Sequence, residues 1–317
     1  MNLIPDWQCD RVVLVLPTRF MEYYDEHLSQ LELFYADFMA EIARYDSVIC
    51  LVPDRDRAKK MMQLTNLGSD FFPIAEVEDI WVRDFALIQS VNSYWKFKFN
   101  PSYESKTNNK YISSSFIKFV QQLEIDNLNS IDLCLEGGNL IHNGKGIAIA
   151  TDKIYRQNQD KTPDEIAALF EGKLGIKRLV VVPTEPGDRT GHIDGMMRWI
   201  DERRLLINDY CAIYPHSKFV KKLKDCLALQ LPDIELVILP YLPETEKYKG
   251  WYSAVGNYIN YLRTKNRVYV PVFVNDLEPK IKQIYQQNFD RECSFIISNS
   301  IAQYGGLLNC ITWNYKK

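Results

Sequence analysis

Apolar and polar positions along the chain recur in two patterns. The first is a short, continuous apolar run, rich in β-branched residues, that stops at a proline: residues 11–16 before Pro17, 48–52 before Pro53, 179–182 before Pro183, 236–239 before Pro240 and 268–270 before Pro271. Proline cannot donate to a strand ladder, so runs of this length predict buried strands, and their recurrence predicts a repeated unit. The second pattern is a polar or glycine-rich lead followed by an alternating apolar run and a turn. It occurs at Trp81-Val82-Arg83-Asp84-Phe85, Glu136-Gly137-Gly138-Asn139-Leu140-Ile141, Gly191-His192-Ile193-Asp194-Gly195, Gly256-Asn257-Tyr258-Ile259-Asn260 and Gly305-Gly306 through Trp313. The leads begin at 81, 136, 191, 256 and 305, which is 55, 55, 65 and 49 residues apart. Asn143-Gly144 predicts a two-residue hairpin, and Lys265-Asn266 the matching turn of another unit. Between them helices are predicted over 23–44, 113–123, 162–174, 218–229 and 279–288, with Thr162-Pro163-Asp164-Glu165 as an N-terminal signal. A period near fifty predicts one α/β domain over residues 1–317, a closed five-bladed propeller-like array rather than a doubly wound sheet.

Composition narrows the classes of function. With 46% hydrophobic and 25% charged residues the chain has the profile of a globular protein. No apolar run approaches the ~20 residues a spanning helix needs. The N-terminus carries no basic region ahead of a long apolar segment, which leads to an expectation of the cytoplasm and of no membrane partner. Acidic residues number 41 against 38 basic ones, without a concentrated basic stripe, so no nucleic-acid footprint is present. The densest basic cluster, Lys221-Lys222-Leu223-Lys224, reads as a solvated helix face. Seven scattered cysteines without a CxxC pair argue against a disulfide framework or structural zinc. Four histidines without HExxH spacing argue against a catalytic metal, so no metal is expected.

In a closed array the equivalent position of each unit points toward one axis. Those positions hold Asp84, Glu136, His192 with Asp194, Asn257 and Cys310. Two carboxylates can grip a planar guanidinium from opposite edges and leave its central carbon open, a role that suits Asp84 and Asp194. A thiolate at Cys310 can attack that carbon while His192 gives a proton to the departing amine and later takes one from water. Glu136 would fix the imidazole as the third member of a triad. Each residue also has a structural reading: Cys310 as core packing, Asp84 as a turn cap, Glu136 as an exposed residue beside a Gly-Gly turn, and His192 with Asp194, two apart on a strand, as a hydrogen-bonded pair. Their registration with one repeat favours the joint functional reading.

The motifs Trp81-Val82-Arg83-Asp84, Glu136-Gly137-Gly138, Gly191-His192-Ile193-Asp194 and Gly305-Gly306 through Cys310-Ile311-Thr312 resemble WxRD, EGG, GHxD and the C-terminal GG...CIT of the agmatine deiminase and bacterial peptidyl-arginine deiminase-like family. Pro5-Asp6-Trp7 is similar to that family's N-terminal start. The resemblance implies the five-bladed pentein fold, no cofactor, a homodimer, and hydrolysis of agmatine to N-carbamoylputrescine and ammonia through Cys310, His192, Glu136, Asp84 and Asp194, with Trp81 lining the substrate channel. The chain departs from the agmatine-specific pattern at Ala86-Leu87, where Gly then Pro is usual, and at Asn309, where His is usual. It departs again at Gly195, where Asn is common, and at Tyr304 and Leu307-Leu308 in the final turn. These departures leave the substrate's tail open. Free or peptidyl arginine would need a cation for its carboxylate, with Arg83, Arg189 and Arg198 as candidates. An amidinotransferase or dihydrolase on the same scaffold, and a binding protein without turnover, remain as alternatives.

Overall fold

The computed structural model describes residues 2–16, 24–123, 125–275 and 277–317, and shows a mixed α/β protein. Five three-stranded sheets share one pattern, a central strand with an antiparallel neighbour on one side and a parallel neighbour on the other. The central strands are Arg11–Val15, Ser93–Lys98, Ile147–Thr151, Arg204–Asn208 and Val268–Val272. Their antiparallel partners are, in the same order, Trp313–Tyr315, Ile88–Ser90, Ile141–His142, Met197–Trp199 and Leu262–Arg263. Their parallel partners are Ser47–Leu51, Leu128–Cys134, Arg178–Val182, Glu235–Leu239 and Cys293–Ile297. Each parallel pair is joined through a helix, as a crossover requires: Leu28–Ala43, Lys106–Val120, Pro163–Leu169, Lys218–Gln230 and Glu278–Asn288. A further two-stranded hairpin pairs Lys247–Tyr248 with Trp251–Tyr252.

The two sequence patterns map differently onto this plan. The polar leads keep step with the sheets: each runs directly into the antiparallel strand of its own sheet, beginning at 88, 141, 197, 262 and 313. The strand-then-proline runs do not. Two of them, 11–16 and 48–52, belong to one sheet, and the sheet centred on Ser93–Lys98 has none. Pro17 lies outside the described residues, as does the start of the first predicted helix, which is observed over Leu28–Ala43. Pro271 does not end its strand but sits inside Val268–Val272. The antiparallel partner covers only Val268 and Tyr269, so Pro271 occupies a stretch with one free edge, where its missing N–H costs no ladder bond. The Asn143-Gly144 hairpin has a four-residue loop, in which Asn143 Oδ1 accepts from Lys145 N at 2.9 Å and Ile147 N at 3.1 Å, and Gly144 and Gly146 take positive φ. The 113–123 helix starts earlier, at Lys106, because Ser105 caps it through Asn108 N.

Apolar faces of the strands and helices bury four hydrophobic clusters between them. The largest gathers Val12, Leu14, Phe38, Met39, Tyr258, Tyr261, Tyr269 and Tyr285 under the turn that carries Cys310. No helix among the described residues is long and apolar enough to cross a membrane.

Candidate active site

Five polar leads precede five outer strands, and their side chains meet. Gly137-Gly138-Asn139 forms a single 3-10 turn just after Glu136, and the two glycines are there because neighbours press on them. A Cβ on Gly137 would collide with the Arg83 carbonyl, and one on Gly138 would stand 2.7 Å from both Asp84 Oδ1 and His192 Nδ1. The Gly138 N–H donates to Asp84 Oδ1 at 3.0 Å. A Cβ on Gly306 would collide with the Trp81 ring, which fixes the Gly-Gly turn against the WxRD segment. The Arg83 N–H donates to the Cys310 carbonyl at 3.2 Å and ties that segment to the C-terminal turn.

Two clusters result. In the first, His192 Nε2 lies 3.0 Å from Glu136 Oε2, and its Nδ1 lies 3.5 Å from Asp84 Oδ1. In the second, Cys310 Sγ lies 3.7 Å from Asp194 Oδ2 and 3.4 Å from Asn260 Oδ1, while Asn309 Nδ2 donates to Asp194 Oδ2 at 2.6 Å. His192 and Asp194 do not sit on a strand as expected: Ile193–Gly195 is a 3-10 turn, so the pair diverges, His192 toward Glu136 and Asp194 toward Cys310. The structural alternative for Glu136, an exposed residue beside a Gly-Gly turn, does not hold, since that side chain is fully buried.

Burial and charge set the protonation states. Burial works to raise Glu136, but the hydrogen bond and charge of His192, together with Lys153, hold it down at about 2. Burial also opposes an imidazolium at His192, yet Asp84 and Glu136 outweigh it and lift the ring to about 9. For Asp84 burial dominates and pushes the carboxyl up to about 6, with Asp194 and Glu136 adding to the rise against His192. Desolvation, then the charges of Asp194 and Asp84, push the Cys310 thiol well above its ordinary value. The resting pair is therefore thiol and imidazolium. Among the described residues no Lys or Arg stands within 4.0 Å of Asp84 or Asp194, so the His192 ring beside Asp84 is the one cation for two buried carboxylates, which leaves room for a second from outside.

The sequence singled out Asn257, but the structure sets Asn260 against the thiol. Asn257 Nδ2 donates to the Gly195 carbonyl at 3.0 Å, whereas Asn260 Oδ1 accepts from Asn309 N at 3.1 Å and Cys310 N at 3.3 Å. Asn260 lies in the same polar lead, one helical turn on, and the lead's turn geometry decides which amide faces inward. Lys153 and Gln157 were missed as well: four apart on the short helix Lys153–Gln157, they share a face that meets Glu136. Trp251 and Tyr103 pack edge to face at 5.2 Å beside the site, and Arg189 stacks over Trp251 at 4.5 Å. Of the three candidate arginines, Arg198 is taken by Asp6 at 2.5 Å and Arg83 by Asn314 at 2.6 Å and the Asn309 carbonyl at 3.3 Å; Arg189 is exposed.

A family model for the Porphyromonas-type peptidyl-arginine deiminase matches residues 3–315. The chain belongs to that family. The agmatine deiminase of Pseudomonas fluorescens is 20% identical over 311 residues, spanning 86% of this chain and 83% of the relative. Among solved structures, the C. jejuni agmatine deiminase superposes with a TM-score of 0.85 at 20% identity, covering 100% of this chain and 96% of that one. A Cys-to-Ser variant of it with substrate bound gives 0.82. A dimethylarginine dimethylaminohydrolase gives 0.58 at 13% identity over 97% of this chain and 100% of that one, so the likeness in fold extends to a second guanidine-modifying enzyme.

Proposed function

We propose that the chain hydrolyses a small guanidine, agmatine, to N-carbamoylputrescine and ammonia. The observation that carries this reading is a pair of buried carboxylates, Asp84 and Asp194, that have one cation, the His192 ring beside Asp84, and no Lys or Arg among the described residues, next to the Cys310 thiol. The substrate's guanidinium enters between them and supplies the missing charge, which also lowers the cost of ionising Cys310. Because His192 is already charged, the Cys310 thiol gives its proton to solvent as the guanidinium binds, and the thiolate attacks the guanidine carbon. The tetrahedral adduct collapses as the C–N bond to one terminal nitrogen breaks, and His192 gives that nitrogen its proton, releasing ammonia and leaving an S-alkylthiouronium on Cys310. His192, now neutral, takes a proton from water. The resulting hydroxide adds to the same carbon, the C–S bond breaks, and the ureido product departs with the thiolate regenerated. Glu136 holds the ring through Nε2 in both halves, Asn260 and Asn309 orient Cys310 and Asp194, and Trp81 lines the channel.

The same reading takes the chain as one domain whose five like-patterned sheets close into a five-bladed propeller, supported by the strict entry of each polar lead into its own sheet. It further takes the protein as a cytoplasmic homodimer, for which sedimentation is the check. A second reading, an arginine-type substrate bearing a carboxylate, is favoured by Arg189, a cation without a carboxylate partner among the described residues that stacks on Trp251. Ammonia and ureido-product release from agmatine, arginine, a blocked arginyl peptide and simple alkylguanidines, offered in parallel, tests both. Turnover of agmatine supports the first reading. Preference for arginine, lost in Arg189→Ala, supports the second, and silence on every guanidine would sink both.

A further inference from the structure

One buried cation in this site has no part in the chemistry above. Lys153 opens the short helix Lys153–Gln157, and its side chain is buried together with that of Glu136. Its ammonium pairs with Glu136 Oε2, the same oxygen that His192 Nε2 meets at 3.0 Å, and donates to the Thr190 carbonyl at 2.5 Å. The stem lies along Gly191, where a Cβ would stand 3.3 Å from Lys153 Cδ and where φ is +64. Lys153 therefore touches both the segment that carries Glu136 and the loop that carries His192. The other Glu136 oxygen is held by Gln157 Nε2 at 2.6 Å.

We propose that Lys153 is a positioning residue for the His192–Glu136 pair, and that by sharing one carboxylate oxygen with the imidazole it limits how firmly Glu136 can keep a proton on His192. The inference rests on the deiminase reading. The reaction asks two opposite things of one imidazole: it must be charged when ammonia leaves and neutral when water is attacked. Two carboxylates, Asp84 at Nδ1 and Glu136 at Nε2, hold the ring in its charged form, and Asp188 accepts the His192 backbone N–H at 3.2 Å. Asp194 lies two residues along the chain and faces Cys310, and the Tyr103 ring stands 5.4 Å from the Lys153 ammonium. Lys153 is the cation among these neighbours, and its charge lowers the affinity of His192 for a proton against the pull of both carboxylates. Without it Glu136 Oε2 would serve the imidazole alone, with Gln157 still on the other oxygen. The charged ring would then persist into the second half of the reaction and leave no base for water. A pair needed only for stability would be replaceable by apolar packing at little cost; a buried ammonium set on the catalytic carboxylate is not explained that way.

The test uses the full-length protein and the variants Lys153→Met, Lys153→Arg and Lys153→Gln. The His192 imidazole is titrated by NMR in the resting protein, its signal assigned by loss in His192→Asn. Adduct on Cys310 is followed by intact mass after acid quench during turnover. Lys153→Met should move the His192 midpoint upward by about one pH unit, lower kcat at neutral pH by roughly tenfold, and increase the fraction of protein caught as adduct. Lys153→Arg should restore all three. Lys153→Gln, which keeps a hydrogen bond and loses the charge, should behave as Lys153→Met and replaces it if that variant fails to fold. An unchanged His192 midpoint in a folded neutral variant overturns the proposal, whatever happens to kcat. The titration needs no turnover, so a wild-type protein silent on every guanidine would remove the deiminase reading while the titration still decides the Lys153–His192 coupling.

Discussion

Replacing Gly138 by alanine probes the site with a single methyl group. An ideal Cβ there stands 2.7 Å from Asp84 Oδ1 and 2.7 Å from His192 Nδ1, two atoms on opposite partners of the proposed machinery. Ordinary contact with carbon begins near ~3.4 Å, so one or both must retreat by roughly 0.7 Å. Neither can do so freely. Asp84 Oδ1 is also held by the Gly138 N–H at 3.0 Å, and His192 is anchored on its other side by Glu136 at 3.0 Å. Displacement of this size from the reactive geometry costs on the order of 100-fold in rate, or about 2.7 kcal/mol of barrier. Gly138 is not among the positive-φ glycines, so alanine meets no backbone penalty and the loss of stability should stay within the ~1–3 kcal/mol typical of overpacking. Steady-state ammonia release and thermal unfolding, measured together, separate the two effects. Gly172→Ala, with nothing within 4 Å of its Cβ, is the matched control and should leave both unchanged. Gly138→Ala turning over within about threefold of wild type would refute the claim that Asp84 and His192 must both hold their places.

Further outcomes follow from the same geometry. Cys310→Ala should abolish turnover while calorimetry still records binding of an alkylguanidine, because Asp84 and Asp194 remain; ammonia release by that variant would contradict a covalent route. Activity should fall as pH rises through about 9, where His192 loses the proton it gives to ammonia. The linked stability of that raised group is complete below its ordinary value of 6.5 and lost towards about 9, while that of the depressed Glu136 is present above 4.5 and lost towards about 2. Asp84, lifted to about 6 from 3.8, costs stability above that pH, so a bound guanidinium should raise Tm more at pH 8 than at pH 5; an equal shift at both would count against Asp84 as the cation's partner. Asn260→Ala strips the acceptor from the N–H groups of Asn309 and Cys310 and should cost about 1–3 kcal/mol of stability together with most of the activity, and a fully active variant would remove Asn260 from the site.

The repeat was legible because it is written in local chemistry. Each polar lead needs a tight turn before an apolar strand, and glycine and short polar residues mark such turns wherever they stand. The strand-then-proline runs were weaker guides, since proline reports only that a ladder edge is free, as Pro271 shows by lying inside Val268–Val272. Period-two reasoning placed His192 and Asp194 on one face, and a single 3-10 turn over Ile193–Gly195 undid it. The choice of Asn257 over Asn260 failed for a similar reason: the backbone path through the lead, invisible in the residue types, aims Asn260 at Cys310 and spends Asn257 on the Gly195 carbonyl. Lys153 reads in sequence as one more lysine near a helix start. Only the tertiary approach of that helix to Glu136 makes it a buried partner of the site. At Asn309, where the related enzymes usually carry histidine, the structure supplies a reason for the residue, an amide that donates to Asp194 Oδ2 at 2.6 Å.

The central claim is that Cys310 attacks the guanidine carbon. Protein mixed with agmatine, quenched in acid within the first turnovers and weighed intact, tests it most directly, with peptide mapping to locate any added mass. The account predicts a species heavier by agmatine less ammonia, carried on Cys310, absent from Cys310→Ala and decaying as ureido product forms. Product formation at the full rate with no such species, and with Cys310→Ala equally active, would contradict it.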